Sequence, residues 1–324
     1  MTVEHELRPS APPAGAPIQT DHAIAVRDLQ MRYGSKDVLT GVDFGARGGE
    51  VLVLLGPNGA GKTTIIEILE GFRRPSAGHV RVLGAEPSRA GEHWRADIGI
   101  VLQSWRDHGK WRVRELLHHL GRYYLPYSTA QRPRPFATDE LITAVGLDDL
   151  AGQRISTLSG GQRRRLDVAI GIVGRPRLLF LDEPTAGFDP QARRDFHDLL
   201  HRMSDMEDTT IMLTTHDLDE AEKLADRILI LAAGRIVANG SADELARRVA
   251  GRSEVRWRQD GQTFVHATTE PTQLVRELFA QHGEGITDLE VRHASLEDTY
   301  MALVQGHESG EPERAALRFA GGER

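Results

Sequence analysis

The sequence predicts an α/β fold with parallel strands joined by crossover helices, a helical insertion, and a small α+β unit near the C-terminal end. Two observations support this class. Short apolar runs recur with helical segments between them, an alternation that is typical of a parallel sheet with crossover connections. One apolar run, Val51–Leu55, leads straight into a glycine-rich loop and then a helix, as in a strand–loop–helix unit.

The composition indicates one large globular domain with a smaller one. The chain has 324 residues, of which 40% are hydrophobic and 27% charged. Its net charge of -7 does not favour nucleic acid as a partner, and the lack of cysteine excludes disulfides and thiolate metal sites. Apolar runs such as 228–233 are too short to span a membrane. Residues 1–22 lack an apolar signal core, so we expect a disordered leader and a cytoplasmic location.

The N-terminal part is predicted to consist of short strands. Ala23–Met31 alternates apolar and polar side chains as an edge strand does, and Val38–Phe44 is its expected partner. A glycine turn then leads into the strand Val51–Leu55, and residues 79–84 and 98–102 form further strands. We expect a mixed sheet that continues into parallel strands.

Strand patterns fade between about residues 104 and 175, where we predict a helical insertion. Its expected helices are Val113–Tyr124, Thr138–Val145 and Gly161–Val173, with prolines separating the first two. Parallel strands with intervening helices then return at Arg177–Leu181, Thr210–Thr215 and Arg227–Leu231.

A tail begins near Ala242 and is predicted to form a small β-β-α-β-α domain. A hairpin around Asp260-Gly261 precedes a helix at 271–281, a strand at 286–291 and a capped helix at 295–304. The expected boundaries are a main domain over residues 23–240, the small domain over 241–305 and a loose tail over 306–324.

Residues 56–63 form a complete G-x-x-x-x-G-K-[ST] phosphate-binding loop. Its glycines let backbone N–H groups turn toward the phosphates, Lys62 supplies positive charge, and Thr63 supplies a hydroxyl for Mg²⁺. The helix that follows adds the dipole of its N-terminus. A solvated glycine turn is the alternative, which the flanking strand and helix disfavour. The predicted phosphate-contacting residues are Gly56, Pro57, Asn58, Gly59, Ala60, Gly61, Lys62, Thr63 and Thr64.

Polar residues at strand ends are candidates for the remaining chemistry. Asp182 and Glu183 follow a buried strand, where one carboxylate can hold Mg²⁺ and the other can polarise an attacking water. His216 is placed to sense a γ-phosphate, and Gln103 to bridge Mg²⁺ and water. Tyr33 is placed to stack on adenine. Taken alone, each of the last three also fits an ordinary loop or strand residue.

A second anion site is predicted at Ser159-Gly160-Gly161-Gln162, just before an arginine-rich helix. Ser159 can cap that helix, and the glycines let backbone amides face outward. An ordinary helix cap is the alternative.

Taken in order, these motifs resemble the nucleotide-binding subunit of an ABC transporter over residues 23–240. They correspond to its A-loop, Walker A, Q-loop, signature, Walker B, D-loop and switch histidine, here Tyr33, Gly56–Thr63, Gln103, Leu158–Gln162, Leu178–Glu183, Gly187–Asp189 and His216. Phe188 stands where many members carry leucine. The resemblance implies ATP and Mg²⁺ as cofactors, with the metal at Thr63, Gln103 and Asp182. It makes Glu183, His216 and Gln103 catalytic and places Asp189 in the D-loop.

The resemblance further implies a head-to-tail dimer with each ATP between one subunit's Walker A and the other's signature. The segments Gly71–Pro75, Gly187–Pro190 and Ser295–Tyr300 are similar to the daunorubicin-resistance type of ATPase, which serves ABC-2 export permeases. A short capped helix at the last of these can also arise from packing. The polar, aromatic stretch Trp105–Arg112 lies in the region that faces the membrane partner in this family.

The leading hypothesis is an ATPase subunit, peripheral at the inner face of the membrane, that powers an exporter through a separate polytopic permease. Drug, antibiotic, lipid or polysaccharide cargo, import, and a heterodimer in place of a homodimer stay open. The alternative is an ABC ATPase acting on the ribosome or DNA, which the single Walker A and the lack of a long heptad run disfavour. A non-hydrolysing ATP sensor is disfavoured by Glu183 and His216.

Overall fold

The computed structural model describes residues 22–101, 108–185, 188, 190–207, 209–250, 253–259, 262–268, 270–292, 296–297, 300–301 and 304. Its strands are β1 (His22–Tyr33), β2 (Lys36–Arg47), β3 (Val51–Leu55), β4 (Ala77–Val82), β5 (Ile98–Val101), β6 (Leu178–Asp182), β7 (Thr210–Thr215), β8 (Arg227–Ala232), β9 (Arg235–Gly240), β10 (Ser253–Gln259), β11 (Gln262–Thr268) and β12 (Ile286–Arg292). Its helices are α1 (Lys62–Leu69), α2 (Glu92–Ala96), α3 (Val113–Gly121), α4 (Thr138–Ala144), α5 (Gly160–Ile172), α6 (Pro190–Glu207), α7 (Leu218–Leu224), α8 (Ala242–Ala250) and α9 (Pro271–His282).

The central sheet has the strand order β5-β6-β7-β3-β8-β9 and is parallel except for β9. Strand β3 lies between β7 and β8, with Val53 opposite Leu213 on one side and Ile228 on the other. All five residues of β3 are buried, as expected for a strand covered on both faces. The predicted parallel sheet with crossover helices is therefore confirmed, and β9 and α8 are elements that the sequence did not predict.

The two faces of this sheet pack against different layers. Val53 and Leu213 belong to a core that they share with helices α3 to α7. Leu52 and Met212, one residue earlier on the same strands, belong to a second core with α1 and β1. Because successive strand residues point to opposite faces, each strand contributes to both cores.

The expected mixed sheet is the central one, in which β9 is antiparallel to β8, but strands β1, β2 and β4 are not part of it and form a sheet of their own. The order is β2-β1-β4, and all pairs are antiparallel. Ile24, Val26 and Leu29 are buried in the second core, while the residues between them, Ala25, Arg27 and Asp28, are more exposed. Such alternation is typical of an antiparallel sheet with one covered face.

The helices predicted between the two groups of strands are present as α3, α4 and α5. The first is shorter than expected. It ends at Gly121 and continues as a 3₁₀ segment to Tyr127, because Pro126 cannot continue an α-helix. Within the part of the chain that the structure describes, no helix has the length and apolar character needed to cross a membrane.

Strands β11, β10 and β12 form a separate antiparallel sheet whose small core is shared with α9 and includes Val255, Leu278 and Ile286. The helical residues after β12 pack elsewhere. Leu296 and Val304 are buried in the core on the helical face of the central sheet, to which Leu245 of α8 also belongs. The small sheet is thus flanked on both sides by segments that pack on the central one.

Candidate functional site

A cavity of about 480 Å³ lies at the carboxyl ends of the central strands. It brings together the phosphate-binding loop, both carboxylates after β6, the histidine after β7, and the tyrosine at the end of β1. Its lining is Tyr33, Val38, Asn58, Gly59, Gly61, Lys62, Thr63, Thr64, Asp182, Glu183 and His216. Gln103 and Asp189 lie outside the described residues.

The loop between β3 and α1 requires glycine at two positions for identifiable reasons. A Cβ on Gly56 would lie 2.4 Å from the carbonyl oxygen of Leu231, on the neighbouring strand. Gly61 has φ 110°, which L-residues rarely adopt, and it precedes α1 without a side-chain cap. The first N–H groups of α1 are thus open to an anion, which the helix dipole also favours.

The side chain of Lys62 lies against this loop and is only 6% exposed. Its Nζ donates hydrogen bonds to the carbonyl oxygens of Gly56 (2.7 Å) and Pro57 (3.3 Å). It also lies 3.4 Å from Oε1 of Glu183. A desolvated ammonium held in this way is suited to bind a phosphate oxygen.

Asp182 is held between two threonine hydroxyls. Its Oδ1 accepts from Thr214 Oγ1 (2.5 Å) and its Oδ2 accepts from Thr63 Oγ1 (3.3 Å). These hard oxygen donors fit Mg²⁺. No cluster of three or more acidic or histidine side chains suited to a metal occurs among the described residues.

Glu183 lies between a lysine and a histidine, in a left-handed backbone conformation with φ 48°. Its N–H donates to the carbonyl oxygen (3.2 Å) and the hydroxyl (3.1 Å) of Thr214. Its Oε2 lies 2.6 Å from Nδ1 of His216. The strained backbone turns the carboxylate into the cavity, and β7 holds it there.

Glu70, at the end of α1, is a buried carboxyl that the sequence analysis did not single out. Burial raises its pKa to about 8, and the negative charges of Asp182 and Glu67 add to the shift. Nothing in the local sequence predicts this, because the burial depends on how α1 packs in the second core. Thr214 was missed for a similar reason, since its partner Asp182 lies on another strand.

The second predicted anion site begins α5. Ser159 Oγ accepts from the N–H of Gln162 (3.3 Å), and the N–H of Ser159 donates to Gln162 Oε1 (2.9 Å). Because of this reciprocal capping box, the backbone amides that follow Ser159 lie at the start of the helix. Arg164, one turn on, donates to the carbonyl oxygens of Pro184 (2.8 Å) and Asp182 (3.3 Å). The signature helix is therefore tied to the strand end that carries the two carboxylates.

Comparison with known proteins identifies the family. The ABC transporter family model matches residues 39–186. The daunorubicin resistance ATP-binding protein DrrA3 of Streptomyces coeruleorubidus is 41% identical over 243 residues, covering 75% of this chain and 76% of that protein. The Nod factor export ATP-binding protein I of Ralstonia nicotianae is 33% identical over 317 residues, covering 90% and 97%.

Solved structures agree on the fold. CbiO1 of Clostridium perfringens, part of the ABC transporter complex cbiONQ, aligns with a TM-score of 0.59 at 24% identity, covering 81% of this chain and 96% of that one. An ABC transporter ATP-binding cassette in its ADP conformation aligns with a TM-score of 0.60 at 22% identity, covering 69% and 92%. The chain therefore belongs to the ATP-binding, ATP-hydrolysing subunits of ABC transporters, within the exporter group that includes the daunorubicin-resistance proteins.

Proposed function

We propose that two copies of this chain close around ATP and so drive a separate polytopic permease at the inner face of the membrane. One observation carries the proposal. Of the described residues, those at 159–162 are not part of the cavity that holds Lys62, Asp182, Glu183 and His216. The two anion-binding elements of one chain therefore do not line one cavity. A second copy in head-to-tail orientation supplies the missing half of each site.

Within each half-site the phosphates are bound by Lys62 and by backbone N–H groups of residues 56–64 other than Pro57, which has none, and the base stacks on Tyr33. Thr63 and Asp182, with Gln103, would hold Mg²⁺, which when bound offsets the negative charge of the phosphates. Ser159, the amides of Gly160 and Gly161, and Gln162 contact the γ-phosphate of the ATP bound by the other copy.

Glu183 is the group that orients and deprotonates the attacking water. Its carboxylate is 2.6 Å from His216 and 3.4 Å from Lys62 in the structure. Nucleotide phosphates draw Lys62 away, which leaves Glu183 oriented by the histidine. His216 and Gln103 respond to the γ-phosphate, and Asp189 is the D-loop residue of the proposed site. Loss of the γ-phosphate removes the contacts that hold the copies together, so hydrolysis reopens the dimer.

Export of a drug or antibiotic is supported by relatives named for daunorubicin resistance and Nod factor export. The same names disfavour the alternative of an ABC ATPase that acts on the ribosome or DNA.

Dimer closure is tested with two variants of the full chain. Glu183→Gln should form a dimer on adding ATP, seen by size-exclusion chromatography with light scattering. Adding Ser159→Arg to that variant should abolish the dimer while ATP affinity stays unchanged, because each chain binds ATP through its own phosphate-binding loop. An ATP-dependent dimer that tolerates Ser159→Arg would contradict the proposal.

The permease is tested by purification from detergent-solubilised membranes. A polytopic membrane protein should co-purify with the tagged chain in stoichiometric amount. Salt-resistant sedimentation with ribosomes, without such a protein, would favour the alternative function instead.

A further inference from the structure

The side chain of Arg73, in the segment after α1, lies over the ring of Tyr33. The guanidinium carbon is 5.1 Å from the ring centre. A cation within about 6 Å of an aromatic ring centre is attracted by the electrons of the ring face. Tyr33 lines the nucleotide cavity, whereas Arg73 is not among the residues of its lining. Arg73 therefore contacts the tyrosine without itself lining the cavity.

Arg73 is itself held in place by α1. Its Nε lies 2.6 Å from Oε2 of Glu67, and its backbone N–H donates to the carbonyl oxygen of Glu67 (3.0 Å). Helix α1 begins at Lys62, the residue that closes the phosphate-binding loop. The contacts of Arg73 thus connect Glu67, on the helix proposed to bind the phosphates, with Tyr33, the ring expected to contact the base.

Tyr33 needs such support because of where it lies. It is the last residue of β1, it is 40% exposed, and the turn residue Gly34 with φ 58° follows it. An aromatic side chain at an exposed strand end loses rotamer freedom when a ligand stacks on it. A cation that already holds the ring reduces that cost and increases affinity.

We propose that Arg73 is a positioning residue for nucleotide binding, which orients the Tyr33 ring so that the base stacks on it. The inference rests on the proposed role of Tyr33 as the base-stacking residue. It goes beyond that role by assigning part of the affinity for the base to a side chain that does not touch the nucleotide. It also predicts that Arg73 contributes to affinity only for ligands that carry a base.

The test measures dissociation constants of the full chain for ATP and for tripolyphosphate, which lacks base and sugar, both with Mg²⁺. Arg73→Gln should weaken ATP binding about two- to fivefold, the factor expected from an exposed cation–π contact. Tripolyphosphate binding and kcat at saturating ATP should not change. Arg73→Lys, which keeps the positive charge, should weaken ATP binding less than Arg73→Gln does. Arg74→Gln, at the exposed neighbouring residue, is the matched control and should leave both constants unchanged.

A double-mutant cycle with Tyr33→Leu separates the possible failures. Arg73→Gln should have no further effect on ATP affinity once the ring is absent. Equal weakening of ATP and tripolyphosphate, or a full effect of Arg73→Gln in the Tyr33→Leu background, would overturn the role of Arg73. If Tyr33→Leu weakens ATP binding and Arg73→Gln does not, the inference fails while base stacking stands. If Tyr33→Leu itself has no effect, both are wrong.

Discussion

The ammonium of Lys62 lies 3.4 Å from the carboxylate of Glu183, and both side chains are largely buried. The residue proposed to bind phosphate is thus paired with the residue proposed to act on water. In the proposed mechanism, arriving phosphates would compete with Glu183 for Lys62 and release the carboxylate at the same time. This exchange of partners would couple nucleotide binding to activation of the carboxylate.

Glu183→Gln should reduce turnover by a factor of about 10²–10⁴, because an amide cannot take up the proton of the attacking water. ATP binding should persist, because a neutral amide does not compete with the phosphates for the ammonium of Lys62. Phosphate release and ATP titration measure the two effects. The control is Glu222→Gln, on the exposed side of α7, which should hydrolyse ATP normally. Normal turnover in Glu183→Gln would show that another group activates the water.

Lys62→Ala should weaken ATP binding at least about tenfold, since a hydrogen bond to a charged group contributes about 1.5–3 kcal/mol. Titration with ATP measures the loss. Lys223→Ala removes an exposed lysine of α7 and should bind ATP as the wild type does. Unchanged affinity in Lys62→Ala, with an unchanged melting temperature, would exclude the lysine from phosphate binding.

Glu70→Gln should make the stability of the protein less dependent on pH. The pKa of Glu70 is raised from its usual 4.5 to about 8, so the unfolded state releases this proton at lower pH than the folded state does. The free energy of unfolding therefore falls as pH rises between these values, by about 1.4 kcal/mol for each pH unit.

Glutamine has no such proton, so the variant should keep about 2–3 kcal/mol that the wild type loses between about pH 6 and about pH 8. Urea unfolding at the two pH values measures the difference. Equal losses in both proteins would mean that Glu70 is ionised in the folded state throughout this range.

Leu296→Ala should destabilise the protein by about 2–5 kcal/mol, the usual cost of truncating a buried leucine. Leu296 is 1% exposed in the core beneath the central sheet, although it lies after the small C-terminal sheet in the chain. Met301→Ala, nearby in sequence but 46% exposed, should cost little. The urea concentrations at the midpoint of the main unfolding transition are compared for the two variants. Equal midpoints would show that the segment after β12 adds nothing to the stability of the central domain.

Local pattern was sufficient to predict the strands that end at the site. The apolar run of β6 followed by two carboxylates, and the run of β7 followed by His216, mark strand ends without knowledge of the fold. The partners of these residues could not be predicted in the same way. Thr214 holds Asp182 only because β7 lies beside β6, and Arg164 reaches Pro184 only because α5 packs there.

Strand β9 could not be predicted because three consecutive residues, Ile236 to Ala238, are all half-buried, so no alternation marks the strand. The separation of the sheet β2-β1-β4 from the central sheet could not be predicted for another reason. Period-two patterns tell which face of a strand is buried, but they do not tell which strand lies beside it.

The small C-terminal sheet is attached to the central domain at two points, through Leu245 before it and Leu296 after it. Both attachments lie in the core on the helical face of the central sheet. A molecule that binds and displaces the small sheet would therefore act on the central domain through two segments of the chain, α8 and the segment around Leu296, and not through one.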